Sequence, residues 1–318
     1  MRVAFVGKGG SGKTTLSSLF AHHLSESGAP VLAIGGDINQ HLAEALGTPG
    51  PAHALPLSSR LPEIKDWLRG SNPRIGSAAE MVKTTPAGTG SRLLRLLGDD
   101  EIHRWHVDRR GAVPLMRTGE FDESDLGVTC YHSKLGAVEL YLNHLVDSPG
   151  EYVVVDMTAG ADAFASGLFT RFDLTFSVVE PTRKSVSVYE QYRAHAAEFG
   201  VPLAVVGNKV CDEGDLLFLK QHVGDALLTY LGNSPAVRAR EQGRDAGPLD
   251  DRSTLALHQM RTALDARTKD WARFQQQAVD FHLRNARAWA NDAVGTDLTH
   301  QVEPAFRHGP AALAQAAD

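Results

Sequence analysis

Nine residues near the start of the chain, Gly7-Lys8-Gly9-Gly10-Ser11-Gly12-Lys13-Thr14-Thr15, combine four glycines, two lysines and two threonines. Glycine at this density lets a backbone curl until successive N–H groups converge on one point, and such a nest binds phosphate oxygens. The spacing G-x-x-x-x-G-K-[ST] adds a lysine that reaches β- and γ-phosphates and a hydroxyl that ligates Mg²⁺. Lys13 and Thr14 fill those two places, and Thr15 follows as a donor to the α-phosphate. Gly9, Gly10, Ser11 and Gly12 supply the backbone of the nest. The chemistry indicated is the binding of a nucleoside triphosphate. A glycine-rich turn without a ligand is the alternative, and the complete pattern argues against it.

Two carboxylates fit the same chemistry. The apolar run Tyr152–Val155 ends in Asp156, the Walker B pattern, whose carboxylate holds the hydration shell of Mg²⁺. Gly160 follows shortly after, and a glycine there lets the segment Asp156-Met157-Thr158-Ala159-Gly160 tilt as a γ-phosphate comes and goes. Asp37 ends another apolar run, where it can orient a water molecule. The competing reading is that Asp37 or Asn39 caps the next helix.

The elements that must carry these groups are legible from periodicity. Val3–Val6, Val31–Ile34, Tyr152–Val155, Leu174–Val179 and Leu203–Val206 are nearly continuous apolar runs, as parallel strands covered on both faces read. Helical faces lie between them: Leu16, Leu19, Phe20 and Leu24, then Leu135, Val138, Leu142 and Leu145. The expectation is an α/β fold with a doubly wound, mostly parallel sheet. Residues 1–265 form its body. A Pro-, Gly- and Ser-rich stretch from Gly47 to Gly90 reads as a surface excursion with one or two helices, extending to about residue 125. Residues 266–318 form a helical C-terminal extension. In it Trp271, Phe274, Ala278, Phe281, Asn285 and Trp289 make one stripe, expected to dock on the body, with a partner-binding helix as the alternative.

Composition bounds the function. The 32 Lys and Arg against 38 Asp and Glu give a net charge of −6, which disfavours nucleic acid or anionic lipid as a partner held by bulk charge. Two cysteines exclude a disulfide framework and fit a reducing compartment. No apolar run approaches the roughly 20 residues needed to span a bilayer, and the N-terminus reads as a strand. The expected location is the cytoplasm.

Lys8 is one lysine more than phosphate binding needs. The resulting pattern K-G-G-x-G-K-[ST] resembles the ParA/MinD class of deviant Walker A ATPases. That resemblance implies a P-loop NTPase fold of the SIMIBI type, ATP and ADP as ligands with Mg²⁺, and a homodimer closed around ATP. Lys8 would then reach the partner's nucleotide and act like an arginine finger. The resemblance also implies that Asp37 positions the attacking water and that Asn208, followed by Lys209, reads the adenine edge. Pro181, in Glu180-Pro181-Thr182, walls the base. Relatives often carry Asp-x-Asp where this chain has Gly35-Gly36-Asp37.

Four further segments resemble the CooC branch, ATPases that insert nickel during maturation of carbon monoxide dehydrogenase. They are Lys83-Thr84-Thr85-Pro86, Cys130-Tyr131-His132, Glu180 to Ser185, and Val206 to Val210. The branch carries C-x-C before the Walker B strand, and two chains pool four thiolates. Here Cys130-x-His132 would offer two thiolates and two imidazoles per dimer, a set suited to Zn²⁺ or Ni²⁺ if the segment is extended. Ordinary packing is the alternative for both residues.

Other branches fit less well. The nitrogenase iron protein needs a cysteine between Asp156 and Cys211, and there is none. The tail Gln301–Asp318 has only Arg307 as a strong base, so it is no basic membrane anchor. The six arginines of Arg92–Arg117 are interleaved with Asp99, Asp100, Glu101 and Asp108 and read as a salt-bridged surface. Five methionines do not suggest an apolar client groove. The sequence thus points to a Mg²⁺-dependent dimeric ATPase switch with a protein client, either assisting metal insertion or acting as a metal-free scaffold or positioning ATPase. A small-molecule kinase or ligase is the weaker third possibility.

Overall fold

Valine-rich runs that stay apolar along their whole length become strands buried on both faces. In the computed structural model these are β1 (Arg2–Gly7), β2 (Val31–Gly36), β7 (Tyr152–Met157) and β8 (Leu174–Val179), each buried at every residue. The structure describes residues 1–37, 39–120, 131–164, 166–244 and 247–315. The other strands are β3 (Leu94–Arg95), β4 (Val107–Asp108), β5 (Leu115–Arg117), β6 (Leu145–Val146), β9 (Leu203–Val210) and β10 (Leu227–Gly232). The helices are α1 (Lys13–Glu26), α2 (Leu42–Ala45), α3 (Leu61–Arg69), α4 (Glu101–His106), α5 (Tyr131–His144) and α6 (Arg183–Glu198). They continue with α7 (Glu213–Val223), α8 (Pro235–Glu241), α9 (Asp251–Asp265), α10 (Trp271–Asn285), α11 (Asn291–Val294) and α12 (Pro310–Gln315).

The main sheet has the order β10-β9-β8-β1-β7-β2-β5-β4, and β3 pairs with β6 separately. Every pair in the main sheet is parallel except β4 with β5. In register, Phe5 lies beside Asp156, Gly7 beside Val178, and Gly36 beside Met157. The C-terminal ends of β1, β2, β7 and β8 therefore finish together. Ligands of doubly wound sheets bind at that edge. Phe5, Phe20 and Phe176, with centroids 5.5 to 5.9 Å apart, lock α1 onto the sheet that aims it.

All five expected strands are present. The strands β5 and β10, towards the two sides of the sheet, lacked a sequence signal because they are short or half-buried. β10 alternates buried and partly exposed positions and carries Thr229 and Tyr230. The stretch from residue 47 to 90 is less superficial than expected. Leu57, Ile64, Leu68, Ile75 and Met81 are at most 1% exposed and belong to the main core, because α3 turns an apolar face inward.

The C-terminal stripe docks through Phe274 and Ala278, with Phe281 against the core. Trp289 departs from it and is 46% exposed. The helix passes into a π-helical turn at Ala286–Ala290, which rotates the stripe and buries Ala286 and Ala290 instead.

This segment also enters a buried ion cluster. Asp147 contacts Arg2 Nε at 2.8 Å, Lys269 Nζ at 2.6 Å and the N-terminal ammonium at 2.8 Å. Burial pushes the Asp147 carboxyl up, but Arg2, Lys269 and the N-terminal ammonium together outweigh it and hold it well below the usual carboxylate range. Lys269 also reaches Asp173 at 2.8 Å. Lys269→Met removes one cation and leaves Asp173 short of a partner. We expect a loss of about 2 kcal/mol, from broken charge-assisted hydrogen bonds. A thermal melt reads this as a midpoint lower by several degrees, while an unchanged midpoint would show the cluster to be neutral.

Candidate nucleotide site

The loop after β1 needs glycine at two places for distinct reasons. Gly7 has φ +145°, and a Cβ there would stand 2.5 Å from the Val178 carbonyl oxygen of β8. Gly12 has φ +94°, and a Cβ would meet the Asn208 side-chain amide at 2.2 Å. The first glycine lets the loop leave the sheet beside a neighbouring strand. The second lets α1 start against the end of β9. Asn208 Nδ2 donates to the Ser11 carbonyl at 2.8 Å, so this amide braces the loop. Lys209, at φ +59°, extends Nζ to the Gly10 carbonyl and to Glu180 Oε1, both at 2.7 Å. A non-glycine residue in that conformation is held by its surroundings.

Lys13 is 5% exposed. Among the described residues its ammonium donates only a long 3.4 Å bond, to the Lys8 carbonyl. Burial lowers its pKa, and the charges of Asp156 and Asp37 oppose the shift. Across from it, Thr14 Oγ1 donates to Asp156 Oδ2 at 2.7 Å. Asp156 is 1% exposed and its Oδ1 has no hydrogen-bond partner among the described residues. Burial raises its pKa to about 7 against the Thr14 hydrogen bond and Lys13, and Asp37 adds to the rise. An orphaned carboxylate oxygen beside a hydroxyl, deep in the fold, is a donor set that suits a hydrated divalent cation.

Asp37 ends β2. Its Oδ1 accepts from the Asn39 backbone N–H at 2.9 Å and from Asn39 Nδ2 at 3.0 Å. It thus closes a local turn and does not cap α2, whose N-cap is His41. Gln40 follows with φ +51° and donates from Nε2 to the Asp37 carbonyl. Lys8 lies at the rim, 33% exposed, donating to the Gly9 carbonyl at 3.0 Å and sitting 3.5 Å from Glu180 Oε2. Glu180 thereby gathers Lys8 and Lys209, while Thr182, beyond Pro181, caps α6 through Ser185.

Two groups near the loop carried no sequence signal, Glu180 as an ion-pair hub and Glu241. Thr15 Oγ1 donates to Glu241 Oε1 at 2.5 Å across 226 positions. Only the fold of α8 over α1 brings them together. Cys130 lies outside the described residues, as does the side chain of His132. The backbone of His132 is in the first turn of α5 and is not extended as expected. The helix that buries Leu135 and Val138 continues back through Tyr131. Among the described residues no three His, Cys, Asp or Glu side chains form a metal-binding group, and no helix is long and apolar enough to cross a membrane.

A phosphate nest at the C-terminal edge of a parallel sheet, with a second lysine inside the loop and a Walker B aspartate across from it, defines a P-loop ATPase of the ParA/MinD type. Solved structures agree on the fold. The ParA family ATPase of Chlorobium tepidum superposes with a TM-score of 0.55 at 16% identity, over 81% of this chain and 96% of that one. The cell division ATPase MinD of Pyrococcus furiosus superposes at 0.53 and 15%, over 82% and 98%. A family model described as anion-transporting ATPase matches residues 1–54. The carbon monoxide dehydrogenase accessory protein CooC of Rhodospirillum rubrum is 30% identical over 246 residues, 76% of this chain and 87% of that protein. The chain belongs to the CooC family of ATPases.

Proposed function

We propose that the chain is a Mg²⁺-dependent ATP switch that closes as a homodimer and opens on hydrolysis, assisting the maturation of a metalloenzyme. The carrying observation is Asp156, a buried carboxylate with a free oxygen, bonded to the loop hydroxyl of Thr14. A cation there, held by Thr14 and through water by Asp156, would neutralise charge on the β- and γ-phosphates. Lys13 binds those phosphates, Thr15 the α-phosphate, and Asp37 orients the attacking water. Asn208 and Lys209, with Pro181, frame the base.

Lys8 serves the partner chain. Its rim position and light tether to Glu180 leave it able to swing outward. Lys8→Ala is expected to stay monomeric with ATP and Mg²⁺, and to lose about 10³-fold in turnover, as removal of an arginine finger does. Sizing with ATP against ADP, with phosphate release, checks both. A variant that dimerises and hydrolyses normally would overturn the role in trans.

The maturation role draws on the CooC relative's name and on Cys130 and His132 as contacts for Zn²⁺ or Ni²⁺ at the dimer axis. The expected result is about one metal ion per ATP-bound dimer, lost in Cys130→Ala. Elemental analysis that finds none in the wild type favours the second reading, a metal-free scaffold or positioning ATPase that acts on a protein partner. The helical backbone at His132 is the observation on that side. Either activity is proposed for the cytoplasm, without nucleic acid or a membrane anchor.

A further inference from the structure

The bond between Thr15 and Glu241 is the feature of this face that nucleotide binding does not account for. Its length of 2.5 Å is that of a strong hydroxyl–carboxylate hydrogen bond. It joins the first turn of α1 to the last residue of α8. A threonine hydroxyl has a single proton, so it donates to this carboxylate or to a phosphate oxygen, never to both. A carboxylate and an α-phosphate converging on one hydroxyl also repel each other.

α8 is suited to let go. None of its seven residues is fully buried, and Val237, which packs against the core, is itself only partly buried. Its start is fixed by Ser234, whose hydroxyl accepts from the Val237 N–H. Its end is tied to α1 by Glu241. The helix also walls a groove of about 490 Å³ that runs past Ser18 and His22 of α1 to Glu44 of α2.

We propose that Glu241 is a carboxylate gate over the α-phosphate position. Without nucleotide it occupies the Thr15 hydroxyl and holds the end of α8 against α1. A nucleoside di- or triphosphate takes that hydroxyl, expels the carboxylate and releases α8, which reshapes the groove. Nucleotide occupancy is thereby transmitted to a surface away from the γ-phosphate. The inference rests on the nucleotide reading above and adds a residue that opposes binding.

The test is calorimetric titration of the full chain with ADP and Mg²⁺, combined with amide hydrogen exchange over residues 235–241. Glu241→Gln keeps the size of the side chain and removes its charge, and is expected to bind ADP five- to tenfold more tightly. In the wild type, exchange in α8 rises when ADP is added. In Glu241→Ala it is already high without ADP and rises no further. Equal or weaker ADP binding by Glu241→Gln, or exchange in α8 indifferent to ADP in the wild type, overturns the gate. A wild-type chain that takes up no ADP removes the nucleotide reading and the gate together. Normal uptake with no effect of either substitution removes the gate alone.

Discussion

Lys13→Ala is expected to weaken nucleotide binding by two to four orders of magnitude while leaving the fold intact. The ammonium of Lys13 is nearly enclosed, yet its hydrogen bond to the Lys8 carbonyl is long at 3.4 Å. Burial works against its charge, as the lowered pKa records. Two charge-assisted hydrogen bonds to phosphate oxygens would offset that cost, at about 1.5–3 kcal/mol each. Losing both weakens ATP and ADP binding by 10² to 10⁴-fold, using 1.4 kcal/mol per factor of ten. The apo protein should lose little: alanine relieves the burial of an ammonium, and Asp156, which loses that neighbouring charge, takes up a proton more readily. Calorimetry with each nucleotide reads the affinity, and a melting curve without nucleotide reads the fold. An affinity within threefold of wild type would mean that the phosphates lie elsewhere. A collapsed melting midpoint would mean that Lys13 is structural.

Much of this site is legible in the sequence because its parts are contiguous. Gly7 to Thr15 run without a break from the end of β1 into the first turn of α1, and local spacing alone fixes which atoms converge. Asp156 is legible for a related reason: an apolar run that ends in an acid places the acid at the edge of the sheet. The pairing of Phe5 with Asp156 then sets it beside the loop. Groups that act across the fold are harder to see. Glu241 is one charged residue in the sequence Arg238-Ala239-Arg240-Glu241, and nothing local distinguishes it from a solvated helix end. Glu180 is similar, because its meaning comes from Lys8 and Lys209 arriving from two other elements. Periodicity failed where geometry changed inside an element. The stripe from Trp271 to Phe281 is right for an α-helix, and one π-helical turn then moves Trp289 off it. The excursion misled through composition. Its prolines and glycines mark turns, yet Ile64, Leu68 and Met81 between them are core. Composition reports how a chain bends, while the spacing of a few large apolar residues reports which side it buries.

Asp156→Asn is expected to stabilise the nucleotide-free protein and to disable it. The wild-type carboxyl has its pKa raised to about 7 from 3.8, with burial as the main cause. A raised carboxyl pKa means that the folded state binds a proton more readily than the unfolded chain does. Stability from this group is therefore greatest below about pH 4, falls as pH rises, and levels off above about pH 7. The interval is close to three pKa units at 1.36 kcal/mol each, so the burden at pH 8 is at most about 4 kcal/mol. Asparagine keeps an acceptor for the Thr14 hydroxyl and carries no charge. The variant should melt well above the wild type at pH 8 and level with it near pH 4. Addition of ATP with Mg²⁺ reverses the order. The wild type gains from ligand binding, while the variant lacks the carboxylate that would hold a cation's water shell and gains far less. In the wild type the proton and the cation compete for the same group, so Mg²⁺-dependent nucleotide affinity weakens towards tenfold per pH unit below about 7. Melting curves at both pH values, with and without Mg²⁺-ATP, measure all of this in one series. An apo variant no more stable than wild type at pH 8 would mean that the buried carboxylate is already well solvated. Unimpaired stabilisation of the variant by Mg²⁺-ATP would assign the cation to another residue.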